Sequence, residues 1–405
     1  MTQMTLSEEL AWRGFVNQTT YKDITVLDGA PITFYLGVDP SSDSMQIGNL
    51  AVVMMVKHFV KAGHKAVLLV GGATGLIGDP DGKSEERELK ALDEIAHNKA
   101  GIAAQYKTIL EGDSFELVDN HDWFKDMGFL EFLRDVGKHV PLRQMISRDF
   151  VQARLGEGGA GISYAEFSYS LIQGYDFVHL HRELGVSLQV CGADQWGNSV
   201  AGVDLTRRMT GDEAHIWSAP LVINKTTGKK FGKSEDGAVW LDPAKTSPSD
   251  FYQFWINADD AGVEGYLKIY TMLSRDDIEK VMAEFAQNKA SRAAQKVLAY
   301  EVTKLIHGQE AADNAKNYAE NLKSSAIKTE TFKVKSGTNI IDVLCDSGLT
   351  NSKSEARQLL ADKGIYVNDA QVGKEILEAS DFQNGKLSLR KGKKLQNTKI
   401  IELEG

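Results

Sequence analysis

The segment Thr33-Phe34-Tyr35-Leu36-Gly37-Val38-Asp39-Pro40-Ser41-Ser42-Asp43-Ser44-Met45-Gln46-Ile47-Gly48-Asn49-Leu50 decides the fold of this 405-residue chain. Its first six residues, TFYLGV, are mostly β-branched, aromatic or aliphatic, which predicts a strand. A turn of Asp, Pro and Ser follows, and a helix is predicted from about Gly48 to Ala62. A strand that turns into a helix presents free backbone N–H groups, here beside small hydroxyl and amide side chains. Such a helix start suits anionic ligands, phosphates above all. Asp39, Ser41, Gln46, Gly48 and Asn49 are the candidates. Gly48 has no Cβ to stop a base or ribose approaching its backbone. The same residues also suit an ordinary capped strand–helix turn.

On either side of this segment the alternation continues. Ala66 to Val70 is a short apolar run ending in Gly71-Gly72 and reads as a buried parallel strand. Phe115 to Val118 and Val186 to Cys191 are further strand candidates, with a helix from Ser163 to Leu180. Strands alternating with helices predict an α/β fold with a doubly wound, Rossmann-like parallel sheet. This domain is expected to span 1–245, with a helical insertion at about 120–162. No GxGxxG follows the first strand, which argues against a dinucleotide-binding oxidoreductase. Helical periods then dominate 246–322, over Pro248 to Ile256, Arg275 to Phe285, Lys289 to Ile306 and Gln309 to Leu322. A polar linker at 323–336 leads to a small module at 337–405.

Composition fits several domains of a soluble globular protein, with 42% hydrophobic and 25% charged residues. The apolar run Leu50 to Val56 is too short to span a bilayer, and the first 20 residues lack the apolar core of a secretory signal. Two cysteines, Cys191 and Cys345, form no disulfide framework and no zinc spacing, so a cytoplasmic location is expected. The net charge of −10 hides an asymmetry, because residues 333–405 carry twelve Lys/Arg against ten Asp/Glu. Lys386, Arg390, Lys391, Lys393, Lys394 and Lys399 form a basic run there. It reads either as a solvated hairpin or as a phosphate-binding footprint.

Two further patterns carry chemistry. Lys230-Phe231-Gly232-Lys233-Ser234 sets two ammonium groups around a glycine. Alone it is a surface turn; with the first segment it suits a nucleotide triphosphate. Lys83 and Arg87, after the turn Gly78-Asp79-Pro80-Asp81-Gly82, add a second basic cluster. Tyr169, Gln173 and Asp176 fall at i, i+4 and i+7, on one face of a helix. That stripe is either the wet side of an amphipathic helix or a set of buried polar groups awaiting a ligand. Its flanks, nearly all apolar or small, favour the ligand.

The two phosphate motifs resemble the HIGH and KMSKS signatures of class I aminoacyl-tRNA synthetases, and the residues between them resemble the bacterial tyrosyl-tRNA synthetase family. The resemblance implies ATP with Mg²⁺, L-tyrosine and tRNA(Tyr) as partners. It assigns Ser41 and Gln46 to the γ-phosphate, and Lys83, Arg87, Lys230, Lys233 and Ser234 to a mobile loop over the phosphates. Asp39, Gly48, Asn49, Gly192, Asp194 and Lys233 would bind ATP. Tyr35 and Asp176 would hold the tyrosine hydroxyl, Asp79, Tyr169 and Gln173 its ammonium, and Gln195 its carboxylate. A pair that hydrogen-bonds a phenol rejects phenylalanine, because binding it would strand a buried carboxylate.

The chain departs from the family pattern at Gln46 and Asn49, which replace the two histidines, and at Leu36 and Val52 near the ribose. Gln46 donates a neutral hydrogen bond but cannot become cationic. Adenylation itself needs no protein nucleophile, only positioning and charge neutralisation.

Residues 337–405 resemble the αL RNA-binding fold first known from a small-subunit ribosomal protein. Ser352-Lys353-Ser354-Glu355 is a capping-box pattern, Lys353 and Arg357 share a helix face, and Gly364 is expected to stop that helix. Lys353, Arg357, Arg390, Lys391, Lys393 and Lys394 are the candidate RNA contacts. The family is homodimeric, with its interface expected near residues 120–165. Two alternatives stay open: a tryptophan-specific sibling, lacking the Tyr35/Asp176 pair, and an RNA-binding paralogue that has lost activation.

Overall fold

A computed structural model describes residues 4–80, 90–234, 237–325, 331–368, 370–382, 385–392 and 398–403. The side chains of 149, 150, 233, 234, 321–325, 331, 370, 398 and 400 lie outside the description. Lys83, Arg87, Lys393 and Lys394 are therefore outside the described residues, as are the side chains of Lys233 and Ser234. Two compact units divide the chain, Met1–Ala312 and Asp313–Gly405.

The first unit is built on a six-stranded sheet of β1 (Gln18–Thr19), β2 (Thr33–Val38), β3 (Lys65–Val70), β4 (Phe115–Val118), β5 (Val186–Gly192) and β6 (His215–Ala219). The strand order is β1-β6-β5-β2-β3-β4. Every pairing is parallel except that of β1 with β6. The middle of β2 and nearly all of β3 are buried, as expected of parallel strands covered on both faces. From β2 the chain moves to β3 on one side, while β5 lies on the other. The crevice beyond the carboxyl ends of β2 and β5 is the switch point where such sheets hold ligands.

The helix expected from Gly48 runs Ile47–Lys61, with ten of its residues buried. The one expected from Ser163 to Leu180 spans Tyr164–Leu184; Ser163 caps it, and Gly185, at φ +66°, ends it. Gly174 of this helix faces Gly202 of the Trp196–Thr210 helix, where an added Cβ would sit 3.6 Å from the Gly202 Cα. The two glycines let the helices close tightly behind the polar stripe.

No division falls at residue 245, because the helical section packs into the same unit as the sheet. Buried Arg13 ties them, donating to the carbonyls of Lys268, Thr271 and Leu273 at 2.8, 3.0 and 2.7 Å. A further helix, Val263–Tyr270, was not expected. The helix expected over Lys289 to Ile306 is broken: Lys289–Ser291 is a 3₁₀ turn, and Ala293–His307 follows Arg292 at φ +54°. That strained backbone persists because the Arg292 guanidinium bonds the Ile256 carbonyl at 2.6 Å and the Ala258 carbonyl at 2.9 Å. A short hairpin, β7 (Lys233–Ser234) with β8 (Gly237–Ala238), begins in the last two residues of the second phosphate motif.

The second unit holds a five-stranded sheet of β9 (Thr331–Val334), β10 (Ile365–Val367), β11 (Ala370–Gln371), β12 (Lys386–Lys391) and β13 (Thr398–Leu403) in the order β11-β10-β12-β13-β9. Strand β9 lies inside the segment read as a linker, so that reading is corrected; β9 pairs parallel with β13 and completes the sheet edge. At the other end of the linker the helix Gln309–Ser325 runs past Leu322. Ile340, Leu344, Ala356, Leu360, Ile365, Leu389 and Ile401 form the core. The helix Lys353–Ala361 is capped by Ser352 as expected. Its left-handed stop, however, is Lys363 at φ +54°, not Gly364. Gly364 instead stands in a tight place: a Cβ there would come 3.2 Å from Leu359 Cδ2 and 3.3 Å from the Leu359 carbonyl oxygen.

Candidate active site

At the carboxyl ends of β2 and β5 the sequence candidates converge into two distinct environments. The first is buried. Tyr35 is 1% exposed, and its Oη has no hydrogen-bond partner among the described residues. Burial raises its pKa well above normal, and the Asp176 charge adds to the shift. Asp176, 2% exposed, accepts from Asn120 Nδ2 at 3.1 Å and Trp123 Nε1 at 3.0 Å. Desolvation holds its pKa well above the usual carboxylate range against those two bonds. Tyr169, also buried, donates its hydroxyl to Asp39 Oδ2 at 2.7 Å. Two of the three residues of the polar stripe, Tyr169 and Asp176, are therefore buried, and Gln173 is half-buried.

The buried amide oxygens of Gln173 and Gln189 also have no partner among the described residues. Gln189 pairs with Tyr35 across β5 and β2. Beside this pocket Asp79 accepts from Gln195 Nε2 at 2.7 Å and Asn198 Nδ2 at 3.4 Å. Asn198 is held by Arg148 Nη1 at 2.6 Å. Cys191, at the end of β5, is buried and its thiol is pushed up to about 12, so it is no nucleophile.

The second environment is open. Gln46 is the residue before the Ile47–Lys61 helix, and its N–H donates to Asn49 Oδ1 at 3.0 Å. With its oxygen so used, Asn49 has its amide nitrogen left to offer a ligand. Among the described residues, no atom beyond its chain neighbours and its own helix backbone lies within 4 Å of where a Gly48 Cβ would stand, so the backbone is approachable there. Lys230 reaches toward Asp194, Nζ to Oδ2 3.7 Å, with both side chains about half exposed at 55% and 52%. At Gly192 an added Cβ would fall 2.6 Å from Asp194 Oδ1 and 3.8 Å from Val52. The 230–234 motif is tied to the helix start through β-type bonds: Val239 N–H to the Gly232 carbonyl at 3.1 Å, and Ile47 N–H to the Val239 carbonyl at 3.2 Å. Two motifs about 180 residues apart thus meet at one helix N-terminus. Anionic ligands are favoured there by the helix dipole and by Lys230.

Sequence reasoning missed Asn120, Trp123, Gln189 and Asn198. Asn120 and Trp123 precede and join the one-turn helix His121–Phe124, and nothing local marks them as partners of Asp176. In the second unit, Lys353 pairs with Asp342 at 2.7 Å and Lys391 with Glu355. The Arg390 guanidinium lies 4.7 Å over the Tyr366 ring, and Arg357 is exposed.

A family model described as tRNA synthetases class I (W and Y) matches residues 27–323, and one described as Tyrosine--tRNA ligase SYY-like C-terminal domain matches 321–397. The sheet, its switch point and the paired phosphate motifs are those of a class I tRNA synthetase of the tryptophan and tyrosine type. The chain is 43% identical to a tyrosine–tRNA ligase of Staphylococcus haemolyticus, over 96% of this chain and 97% of the relative. It is 42% identical to one of Bacillus caldotenax, over 96% and 98%. A C-terminally truncated mitochondrial tyrosyl-tRNA synthetase of Aspergillus nidulans superposes with a TM-score of 0.71 at 29% identity, covering 79% of this chain and 94% of that one. The chain belongs to the tyrosine–tRNA ligase family.

Proposed function

We propose that the chain binds L-tyrosine in the buried pocket and ATP at the open helix start, and joins them as tyrosyl-adenylate. A tyrosine carboxylate oxygen attacks the α-phosphorus, the bond to the bridging oxygen breaks, and pyrophosphate leaves. A tRNA 3′-terminal hydroxyl then takes the tyrosyl group and releases AMP. The observation that carries this reading is the pairing of two unlike polar groups on one buried wall. Tyr35 Oη lacks a partner while feeling the Asp176 carboxyl, and a substrate phenol would satisfy both. An indole ring presents no hydroxyl, so the tryptophan reading is not favoured.

Asp79, Tyr169 and Gln173 would take the ammonium, and Gln195, already bonded to Asp79, would orient the carboxylate. At the phosphate end Asp39, Ser41, Gln46, Gly48, Asn49, Gly192 and Asp194 would hold ATP. Lys230 and Lys233, with Ser234 and with Lys83 and Arg87, would neutralise charge as pyrophosphate departs. Mg²⁺ would arrive on the phosphates and supply further charge neutralisation. Such stabilisation acts on the transition state more than on the ground state.

Lys353, Arg357, Arg390, Lys391, Lys393 and Lys394 would contact tRNA phosphates. Self-association into a homodimer is supported by exposed apolar side chains between Phe129 and Tyr164, including Leu130 at 79% and Tyr164 at 65%. No helix among the described residues is long and apolar enough to cross a membrane, which suits a cytoplasmic enzyme. ATP–pyrophosphate exchange tests the reading: it should require L-tyrosine and Mg²⁺. Equal exchange with tryptophan, or none with any amino acid, would contradict it.

A further inference from the structure

Phe231 sits between the candidate phosphate-binding lysines in sequence, yet its environment is opposite to that of Lys230. Its ring is 6% exposed, whereas the neighbouring Lys230 side chain is 55% exposed. The ring stacks on Tyr266, with centroids 4.1 Å apart and planes 22° from parallel. Phe254 and Trp255 lie 5.2 and 5.6 Å away, and Tyr270 6.1 Å. These four rings come from the Pro248–Ile256 and Val263–Tyr270 helices. Tyr266 is itself fixed, its hydroxyl donating to Asp259 Oδ1 at 2.7 Å.

The main chain is held on both sides of the ring. Phe231 N–H donates to the Val222 carbonyl at 2.8 Å. At Gly232 φ is +102°, and a Cβ there would stand 3.4 Å from Ile47 Cβ and 3.5 Å from Gly48 N. One residue thus enters an aromatic box, and the next lies against the helix start where the phosphates are proposed to bind. A lysine is a point charge on a flexible stem, so its mean position depends on where its main chain is fixed. Catalysis by charge neutralisation is sensitive to that position, since a misplacement of about 1 Å can cost about a hundredfold in rate.

We propose that Phe231, gripped by Phe254, Trp255, Tyr266 and Tyr270, is the fixed pivot of the Lys230–Ser234 motif and a positioning residue for activation. It sets where the main chain that carries Lys230 and Lys233 lies against the Gly48 helix start. The proposal rests on the activation chemistry of the preceding section. It predicts that the helical section after residue 245 contributes to the rate of activation through this ring, without touching substrate.

The test is ATP–pyrophosphate exchange on the full chain, with tyrosine binding in the absence of ATP and thermal unfolding measured in parallel. Phe231→Ala should lower kcat by about 30-fold or more while the tyrosine Kd stays within about twofold. Phe231→Met should recover most of the rate, because a flexible thioether packs well against aromatic rings. Tyr266→Leu leaves the motif itself intact and should show the same split from the other side of the contact. The double variant should be little worse than either single one, since both break the same grip. Lowered thermal stability with kcat per folded molecule unchanged within about twofold, in both single variants, would make the ring mere packing and overturn the pivot. An equal loss of tyrosine binding would overturn it too. Exchange that is absent from the unaltered chain strikes down the proposed function and the pivot together; exchange that survives Phe231→Ala strikes down the pivot alone.

Discussion

The two ends of the site solve opposite problems. Around Tyr35, Tyr169 and Asp176 the side chains are buried, with burial raising the pKa of all three. Around Gln46, Asn49 and Lys230 they are partly or largely exposed. A buried polar group without its partner costs about 1–3 kcal/mol, so the closed end can reject a ligand that lacks the matching hydroxyl. An exposed ammonium costs little to leave unpaired and gains little from a surface ion pair. It remains available for a charge that appears only during the reaction. On the proposed function, selectivity is stored where water is excluded and rate enhancement where side chains are exposed.

The residues named at both ends belong to the Met1–Ala312 unit, and removing the rest of the chain offers the first way to break the contrast. A chain ending at residue 325, before β9, should charge tRNA at under about a thousandth of the full-length rate, because the proposed phosphate contacts would be gone. Its tyrosine-dependent pyrophosphate exchange should be unchanged. Aminoacylation of tRNA at an undiminished rate would remove the RNA-binding role. Lys230→Ala probes the open end and should slow adenylate formation by about a hundredfold, with tyrosine binding nearly untouched. Pre-steady-state rates and equilibrium binding separate the two effects.

Trp123→Phe reaches the closed end indirectly. It removes the indole donor to Asp176 while keeping a ring stacked near His179, with which Trp123 now lies 4.3 Å centroid to centroid. Preference for tyrosine over phenylalanine should fall about tenfold, the scale of one hydrogen bond. The smallest effect is on stability. Asp176 keeps its proton to a pH above the value near 3.9 at which an unfolded aspartate releases it. As pH rises from about 4, the unfolded chain ionises there and the folded chain does not, so the folded state loses stability until the raised pKa is passed. Unfolding free energies of the parent and Asp176→Asn should diverge in the variant's favour over that window, by at most about 1.4 kcal/mol per pH unit. A gap that is flat with pH would mean that Asp176 is not the buried acid described.

Much of this arrangement was legible in the chain. Strands β2, β3, β4 and β5 stand as short segments rich in apolar residues, and the i, i+4, i+7 spacing announced the stripe of Tyr169, Gln173 and Asp176. Whether that stripe was wet could not be read from periodicity, because burial depends on what covers it. The cover includes Asn120 and Trp123, bonded to Asp176 across 56 and 53 residues, and Asp39, bonded to Tyr169 across 130. Long-range partners leave no local signal. Short elements were lost for another reason: β6 is five residues long, and β9 only four, inside a polar stretch. At Arg292 three side-chain bonds to backbone carbonyls outweigh helix propensity, and no residue count anticipates that.

The division of labour between the two ends is tested most directly by one ratio. It is kcat/KM for tyrosine over kcat/KM for phenylalanine in pyrophosphate exchange, measured on the parent, Asp176→Ala and Lys230→Ala. Asp176→Ala should lower the ratio by about a hundredfold, the loss of about 3 kcal/mol of buried phenol recognition. Lys230→Ala should lower both rates and leave the ratio within about twofold, since it acts on phosphates common to both substrates. A ratio retained in Asp176→Ala, or lost equally in Lys230→Ala, would contradict the account.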